Sequence, residues 1–203
     1  IDEEKILRGS IIDRNGKILA YSEKEGEDYK RFYNYGNLYS HIIGYSYREY
    51  GKAGLELQYN NLLLNIAEST PLNELKNIVI PNTEGNTLKL TLDHHLQEYT
   101  REQLKVKKGA RVAMNPRTGE IYSMVSMPDF NSSTLRENWN DIMENKDSPF
   151  LNRATSGLYT PGSSFKVLTA MAILDSPNVD KEYNCKGSTK IDGYVLKDYS
   201  GKP

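Results

Sequence analysis

The chain has 203 residues, with 26 Lys and Arg against 27 Asp and Glu, so its formal net charge is −1. This balance, without a long basic run, argues against nucleic-acid binding. A single cysteine excludes an internal disulfide framework and a multi-cysteine metal site. With 37% hydrophobic residues and no run of 18 apolar ones, the sequence predicts a packed core and no membrane span within these residues.

The first half of the chain predicts a hairpin-rich region. Asn15-Gly16 lies between two short apolar runs and predicts a β-hairpin over about residues 9–21, because this dipeptide readily adopts positive φ. The polar residues 21–30 predict a solvated loop. Apolar residues at helical spacing predict an amphipathic helix over residues 54–67, with Glu56 near its start, where the helix dipole favours an acid.

The second half predicts strands and helices in alternation, and the fold class is therefore α+β. Residues 68–86 are rich in Pro and Asn and predict a connector. Asp93 is placed to cap a helix whose apolar side carries Leu96, Tyr99 and Leu104. The remaining predicted elements are a strand over residues 87–92, a hairpin formed by 110–114 and 120–126, and a turn-rich, polar stretch over 127–150.

The stretch with chemical information is Pro-Gly-Ser-Ser-Phe-Lys at residues 161–166. Pro161-Gly162 interrupts any preceding element and good helix formers follow, so Ser163 is predicted to lie at a helix N-terminus. Backbone N–H groups and the helix dipole favour a developing serine alkoxide at that position. Lys166 follows three residues later and is predicted on the same face of the helix.

Two interpretations of this pair remain open on physical grounds. Lys166 is the only charged residue in an otherwise apolar helix, which predicts burial, and burial disfavours the ammonium form of lysine. A neutral amine beside Ser163 would be a general base beside a nucleophile, as serine acyl transfer requires. In the alternative, Ser163 caps a structural helix and Lys166 extends its ammonium group into solvent.

The histidines do not predict a catalytic or metal site. His41, His94 and His95 lack metal-ligand spacing, and His41 is predicted to be structural. No metal site is therefore predicted from the histidines.

Five further sequence blocks accompany the Ser163-x-x-Lys166 segment. In their order along the chain, all these blocks resemble class B penicillin-binding proteins, with a short first domain like that of the penicillin-binding protein 2 type. The blocks are Arg-Gly-Ser-Ile-Ile-Asp-Arg-Asn-Gly at 8–16, Gly-Leu-Glu with Tyr at 54–59, Thr-Leu-Asp with Leu-Gln at 91–97, the hairpin sequence at 109–128, and Asn-Arg-Ala at 152–154.

This resemblance implies a two-part chain and a serine-type D,D-transpeptidase, with no metal and no cofactor. Residues 1–86 would form a hairpin-rich pedestal domain with its connector, and residues 87–203 the N-terminal part of a penicillin-binding/β-lactamase-like transpeptidase domain. Ser163 would attack peptidoglycan stem peptides to give an acyl-enzyme, β-lactam antibiotics would acylate the same serine, and Lys166 would accept its proton. The family also implies a location on the outer face of the bacterial cytoplasmic membrane, with an N-terminal transmembrane anchor that this chain does not contain.

The sequence departs from the family signature after Lys166. The only later Ser-x-Asn is Ser176-Pro177-Asn178, which lies too close to the nucleophile and in a turn signal, and no Lys-Thr-Gly occurs. We therefore expect the transpeptidase part to be incomplete and inactive in isolation, because loss of even one oxyanion donor costs ~10²–10³ in rate.

Two alternative functions accompany the enzyme hypothesis. Residues 1–86 could act as a non-catalytic pedestal that docks a membrane glycosyltransferase of the SEDS family. A β-lactam sensor or a β-lactamase is a further alternative, against which the presence of a separate first domain and the block at 8–16 argue.

Overall fold

The structure is a computed structural model that describes residues 2–66, 83–104, 108–177 and 184–198. It divides into two compact units, residues 1–158 and residues 159–203, and each unit is described by itself. The boundary predicted between residues 86 and 87 separates two domains defined by sequence, not two compact units in space, and it stays a prediction. Within the described ranges, no helix has the combined length and apolarity that crossing a bilayer requires.

The first unit is built on a four-stranded sheet with strand order β3-β2-β1-β6, in which β1 and β6 are parallel and the other pairs antiparallel. The described residues of this unit also form two separate two-stranded hairpins, β4-β5 and β7-β8. The strands are β1 Ile11–Ile12, β2 Ile18–Glu25, β3 Asp28–Tyr33, β4 Tyr45–Tyr47, β5 Gly51–Ala53, β6 Leu88–Lys89, β7 Gly109–Met114 and β8 Ile121–Met127.

Five α-helices lie in the described part of the first unit, with two short 3-10 turns at Glu3–Lys5 and Ser132–Thr134. The core between helices and sheet combines aliphatic with aromatic side chains, and its buried members include Ile11, Leu19, Tyr39, Tyr45, Leu63, Leu92, Phe130 and Leu135. The helices are α1 Ser40–Ile43, α2 Gly54–Gln58, α3 Asn60–Leu63, α4 His94–Gln103 and α5 Leu135–Glu144.

The hairpin predicted over residues 9–21 is confirmed. Strands β1 and β2 pair around a loop in which Gly16 has a φ of +88°. The buried Asp13 carboxylate closes this loop, because its Oδ1 accepts from the backbone N–H groups of Asn15 and Lys17, each at 2.8 Å.

The solvated loop predicted over residues 21–30 is wrong. These residues continue β2 to Glu25 and then enter β3, with Glu25 paired to Asp28 around a turn at Gly26. Cross-strand pairing explains the difference, because a polar strand can be stabilised by its backbone ladder and by contacts such as the stacked rings of Tyr21 and Phe32.

The single helix predicted over residues 54–67 is interrupted. Helix α2 ends before Tyr59, whose φ of −107° and ψ of 23° break the helical geometry, and α3 follows directly. Its predicted end at Ala67, and residues 68–82 of the predicted connector, lie outside the described residues.

Asp93 caps α4 as predicted, since its Oδ1 accepts from the backbone N–H of Leu96 at 3.1 Å. The predicted apolar side of this helix is partly wrong, because Tyr99 is 60% exposed while His94, Gln97 and Thr100 are buried. Hydrogen bonds made by these polar residues, rather than apolar periodicity, decide which face turns inward.

The strand predicted over 87–92 is limited to β6, and the hairpin predicted over 110–126 is confirmed as β7 and β8. Helix α5 corrects the prediction of a turn-rich stretch over 127–150. Leu135 is fully buried and Trp139 packs against the core, so tertiary contacts stabilise a helix that its polar composition hides.

The second unit contains a 3-10 turn at Gly162–Phe165, helix α6 at Lys166–Asp175, and a hairpin of β9 Ser188–Ile191 with β10 Tyr194–Lys197. Every residue from 161 to 177 is exposed within this structure. The predicted burial of α6 is therefore wrong for the described residues of this unit, because the turn and the hairpin described there do not enclose a ten-residue apolar helix.

Candidate active site

Ser163 lies in the turn that leads into α6. Gly162, which precedes it, has a φ of +55°, a conformation that glycine adopts without steric cost. The backbone N–H of Lys166 donates to the carbonyl oxygen of Ser163, so this turn joins the serine directly to the first residue of the α-helix. The structure thus places Ser163 at the helix start that the sequence predicts.

The two adjacent serines differ in what their hydroxyl groups contact. Ser164 Oγ donates to the carbonyl oxygen of Pro161 at 2.5 Å, which commits this hydroxyl to the turn itself. Ser163 Oγ has no hydrogen-bond partner among the described residues, and its side chain is exposed. Of the two hydroxyl groups, that of Ser163 is therefore the one available for chemistry.

Lys166 occupies the first position of α6, one turn after Ser163 and on the same face. Its ammonium group is exposed, and within the described ranges it makes neither an ion pair nor a hydrogen bond to Ser163 Oγ. The structure therefore brings the two residues to the same end of one helix but does not join their functional atoms. The remaining length of α6 presents apolar side chains to solvent, among them Val167, Leu168, Met171 and Leu174.

The first unit contains a buried charge cluster whose geometry sequence reasoning missed. Glu56 is fully buried and accepts from Arg8 Nε at 2.6 Å and from Arg31 Nε at 2.7 Å. We expected Glu56 to act on its own helix dipole, whereas the structure makes it the shared counter-ion of two guanidinium groups. A signal was present, because Arg8 and Glu56 belong to two of the blocks that carry the family resemblance.

His41 makes a structural contact, since its Nε2 lies 2.7 Å from the carbonyl oxygen of Pro149. Burial lowers the pKa of this imidazole, which favours the neutral ring and donation from Nε2–H to that carbonyl. Ser176 directly follows the last residue of α6, and Asn178 of the same Ser-x-Asn sequence lies outside the described residues.

Two protein families match this chain, one in each half. Residues 8–87 match the penicillin binding protein A dimerisation domain, and residues 109–202 match the penicillin binding protein transpeptidase domain. Ser163 and Lys166 lie inside the second match, and Arg8, Arg31 and Glu56 inside the first.

Two similar proteins carry the name peptidoglycan D,D-transpeptidase. MrdA of Acinetobacter baumannii is 35% identical over 180 residues, which cover 74% of this chain and 27% of MrdA. PbpA of Mycolicibacterium smegmatis is 29% identical over 192 residues, covering 87% of this chain and 39% of PbpA. The chain thus spans roughly a quarter to two fifths of the length of these relatives.

Solved structures of similar proteins match nearly the whole chain. The D,D-transpeptidase domain of a peptidoglycan glycosyltransferase from Eggerthella lenta is 31% identical, with a TM-score of 0.79 over 97% of this chain and 44% of that one. Penicillin-binding protein A from M. tuberculosis, solved as an imipenem acyl-enzyme complex, is 26% identical, with a TM-score of 0.81 over 100% of this chain and 50% of that one. The α+β fold class is confirmed by these matches.

Proposed function

This chain belongs to the penicillin-binding protein family, and we propose that it carries the nucleophile of a serine-type peptidoglycan D,D-transpeptidase. The observation that carries the proposal is the free Ser163 hydroxyl, one turn before Lys166 at the start of α6, within the transpeptidase match. The relative from M. tuberculosis was solved as an acyl-enzyme complex with imipenem. This supports the use of covalent acylation by a β-lactam as the measurement that tests the proposed nucleophile.

In the proposed reaction, Ser163 Oγ attacks the carbonyl carbon of the penultimate D-Ala in a stem peptide. The peptide bond to the terminal D-Ala breaks, this residue leaves as the free amine, and an ester to Ser163 remains. An amino group of a neighbouring stem peptide then attacks the ester and restores the serine hydroxyl. Lys166 would take the serine proton and return it to the leaving amine, which is general base and general acid catalysis by one group.

The reaction needs more than the residues of α6. No Lys-Thr-Gly and no suitably spaced Ser-x-Asn occur in these 203 residues. We therefore propose that β-lactams do not acylate residues 1–203 alone at a measurable rate. A longer polypeptide that contains these residues and the missing motifs, called here the longer product, is acylated.

Covalent labelling by a fluorescent penicillin tests the nucleophile. We expect the longer product to label, Ser163→Ala to abolish labelling, and Ser164→Ala to retain it, because the Ser164 hydroxyl already bonds to Pro161. Labelling that survives Ser163→Ala, or that Ser164→Ala removes instead, would contradict the assignment. Strong labelling of the 203-residue chain would contradict the claim that it is inactive alone.

The pH dependence of acylation tests the role of Lys166. Lys166→Ala should lower the acylation rate while leaving the mass of the acyl-enzyme unchanged, and raising the pH should restore part of the rate by supplying hydroxide as base. Lys186→Ala is the control, because this residue lies outside the helix. An unchanged rate in Lys166→Ala would exclude the residue as the base.

We further propose that residues 1–86 act as a pedestal at the outer face of the cytoplasmic membrane and dock a SEDS-family glycosyltransferase. The buried Arg8–Glu56–Arg31 cluster supports this, because it joins the start of the chain, β3 and α2 into a rigid support. The Ser163→Ala form of the 203-residue chain should then compete with the longer product for the membrane partner. Absence of competition would count against docking and leave the transpeptidase proposal intact.

A further inference from the structure

A buried histidine in the first unit is hydrogen-bonded through both ring nitrogens. His94 is the first residue of α4 and is 3% exposed. Its Nδ1 lies 2.9 Å from the hydroxyl of Tyr39, and its Nε2 lies 3.2 Å from Oε1 of Glu98, one helical turn later. The proposed catalytic chemistry makes no use of these three residues.

The proton positions follow from the partners. Burial raises the pKa of Tyr39, so its hydroxyl stays protonated and donates a hydrogen bond to Nδ1 of His94. The other nitrogen then carries the hydrogen and donates to the Glu98 carboxylate. In the neutral ring both nitrogens therefore have a hydrogen-bond partner. A second proton on Nδ1 would point at the Tyr39 hydroxyl, and the hydrogen of that hydroxyl would lose its acceptor in a buried site.

The charges around His94 come from three segments of the chain. Burial is the largest influence and lowers its pKa, Glu98 and Asp13 oppose this effect, and Lys17 and His95 reinforce it. A cation at the first turn of α4 would also face the positive end of the helix dipole. The charged or titratable groups that face the ring are Asp13 and Lys17 of the β1-β2 loop, Tyr35 and Tyr39 before α1, and Asp93, His95 and Glu98 of α4 with its cap.

His94 also lies where separate elements meet. Its backbone N–H donates to Asp13 Oδ2 at 3.3 Å, and its ring packs 4.4 Å from the ring of Tyr35. Farther along α4, the Gln97 side chain bonds to backbone groups of Leu38 and Met124, which carries the contact onward to β8. The first turn of α4 therefore connects the segment matched by the dimerisation domain to the hairpin matched by the transpeptidase domain.

We propose that His94 is a proton-controlled latch. In its neutral form it holds the first turn of α4 against Tyr39 and the Asp13 loop. Protonation turns Nδ1 from acceptor to donor, breaks the bond from Tyr39, and releases that turn, so that acid loosens the contact between the two family-matched segments. The device is reversible, since loss of the same proton restores both hydrogen bonds.

The direction of the pH effect follows from linkage. Folding favours neutral His94, so the unfolded chain binds the proton more readily, near the ordinary histidine pKa of about 6.5. The stabilisation by the latch is complete above that pH and is lost as the pH falls from it towards the lower pKa of the folded state.

Titration of the three histidines by NMR tests the latch in the 203-residue chain. We expect His94 to titrate below the ordinary histidine pKa of about 6.5, because burial disfavours its charged form. Tyr39→Phe should shift the His94 titration to higher pH, because the neutral ring loses its donor. Glu98→Gln should shift it to lower pH, because the cation loses its carboxylate. A His94 that titrates at or above the ordinary histidine pKa, or whose titration neither variant changes, would overturn the proposal.

Hydrogen exchange measures the release itself. On lowering the pH from 7.5 to 5.0, and after correction for intrinsic exchange rates, we expect α4 and residues 37–43 to lose protection. His94→Gln should remove this pH dependence, and His95→Gln should retain it. His41→Gln is a second control, because burial also lowers the pKa of His41. The latch would be refuted if the pH-dependent loss of protection in α4 persists in His94→Gln, or if it disappears in His41→Gln.

Discussion

Arg8 Nε donates to Glu56 Oε2 across 2.6 Å in the interior of the first unit, between residues 48 positions apart. The same guanidinium also reaches the backbone carbonyl of Glu56 and the side-chain oxygen of Asn60. Because Arg31 shares the carboxylate, two buried cations depend on one buried anion. Such a group contributes little as a pair relative to a hydrophobic core, but removing one partner is costly, since it leaves charge buried without compensation.

Glu56→Gln should therefore destabilise the chain by about 3–5 kcal/mol, measured as the free energy of unfolding in urea. Glu49→Gln is the matched control, because Glu49 forms an exposed ion pair with Arg136 at 3.0 Å, with both side chains 54% exposed. We expect no measurable change in the unfolding midpoint for the control. Equal effects of the two substitutions would contradict the structural role assigned to Glu56.

Gln97 offers a second test, because a buried amide joins α4 to β8. Its Nε2 donates to the carbonyl oxygens of Leu38 and Met124, and its Oε1 accepts from the Met124 N–H. Gln97→Leu keeps the volume but leaves these backbone groups unpaired, so we expect a loss of about 2–4 kcal/mol in unfolding free energy. Gln103→Leu, at the exposed end of the same helix, should change it by less than about 0.5 kcal/mol. The prediction fails if Gln97→Leu is as stable as the parent chain.

Gly44 is a backbone position where a side chain has no room. Its φ is +78°, and an added Cβ would collide with the carbonyl oxygen of Ala53. Gly51 has a similar φ of +73° but open space around it. Gly51→Ala should cost about 1–2 kcal/mol for backbone strain alone, whereas Gly44→Ala should cost about 2–5 kcal/mol because overpacking adds to the strain. Thermal unfolding of both variants measures the difference, and similar melting temperatures would contradict it.

The sequence alone predicted the features that depend on local chemistry. The hairpin around Asn15-Gly16, the cap at Asp93 and the helix start at Ser163 each need only a few neighbouring residues, and the structure contains all three. The family resemblance also follows from short blocks, which are local patterns in a fixed order. The assignments of Ser163 and Lys166 to catalysis stay proposals, since their functional atoms do not contact each other in the described structure.

Tertiary structure alone decided how distant residues compensate each other. The sequence pattern did not predict strand β3, because this polar strand is stabilised by its backbone pairing with β2. It did not predict α5 either, because Leu135 and Trp139 of this helix pack against a core that other segments form. The burial of Glu56 and His94 depends on partners that arrive from other parts of the chain, so no local pattern encodes their surroundings. The amino-acid composition predicts a packed core and gives a formal net charge close to zero. The structure shows that part of that charge balance lies inside the protein, where desolvation makes each pairing matter more than it would on the surface.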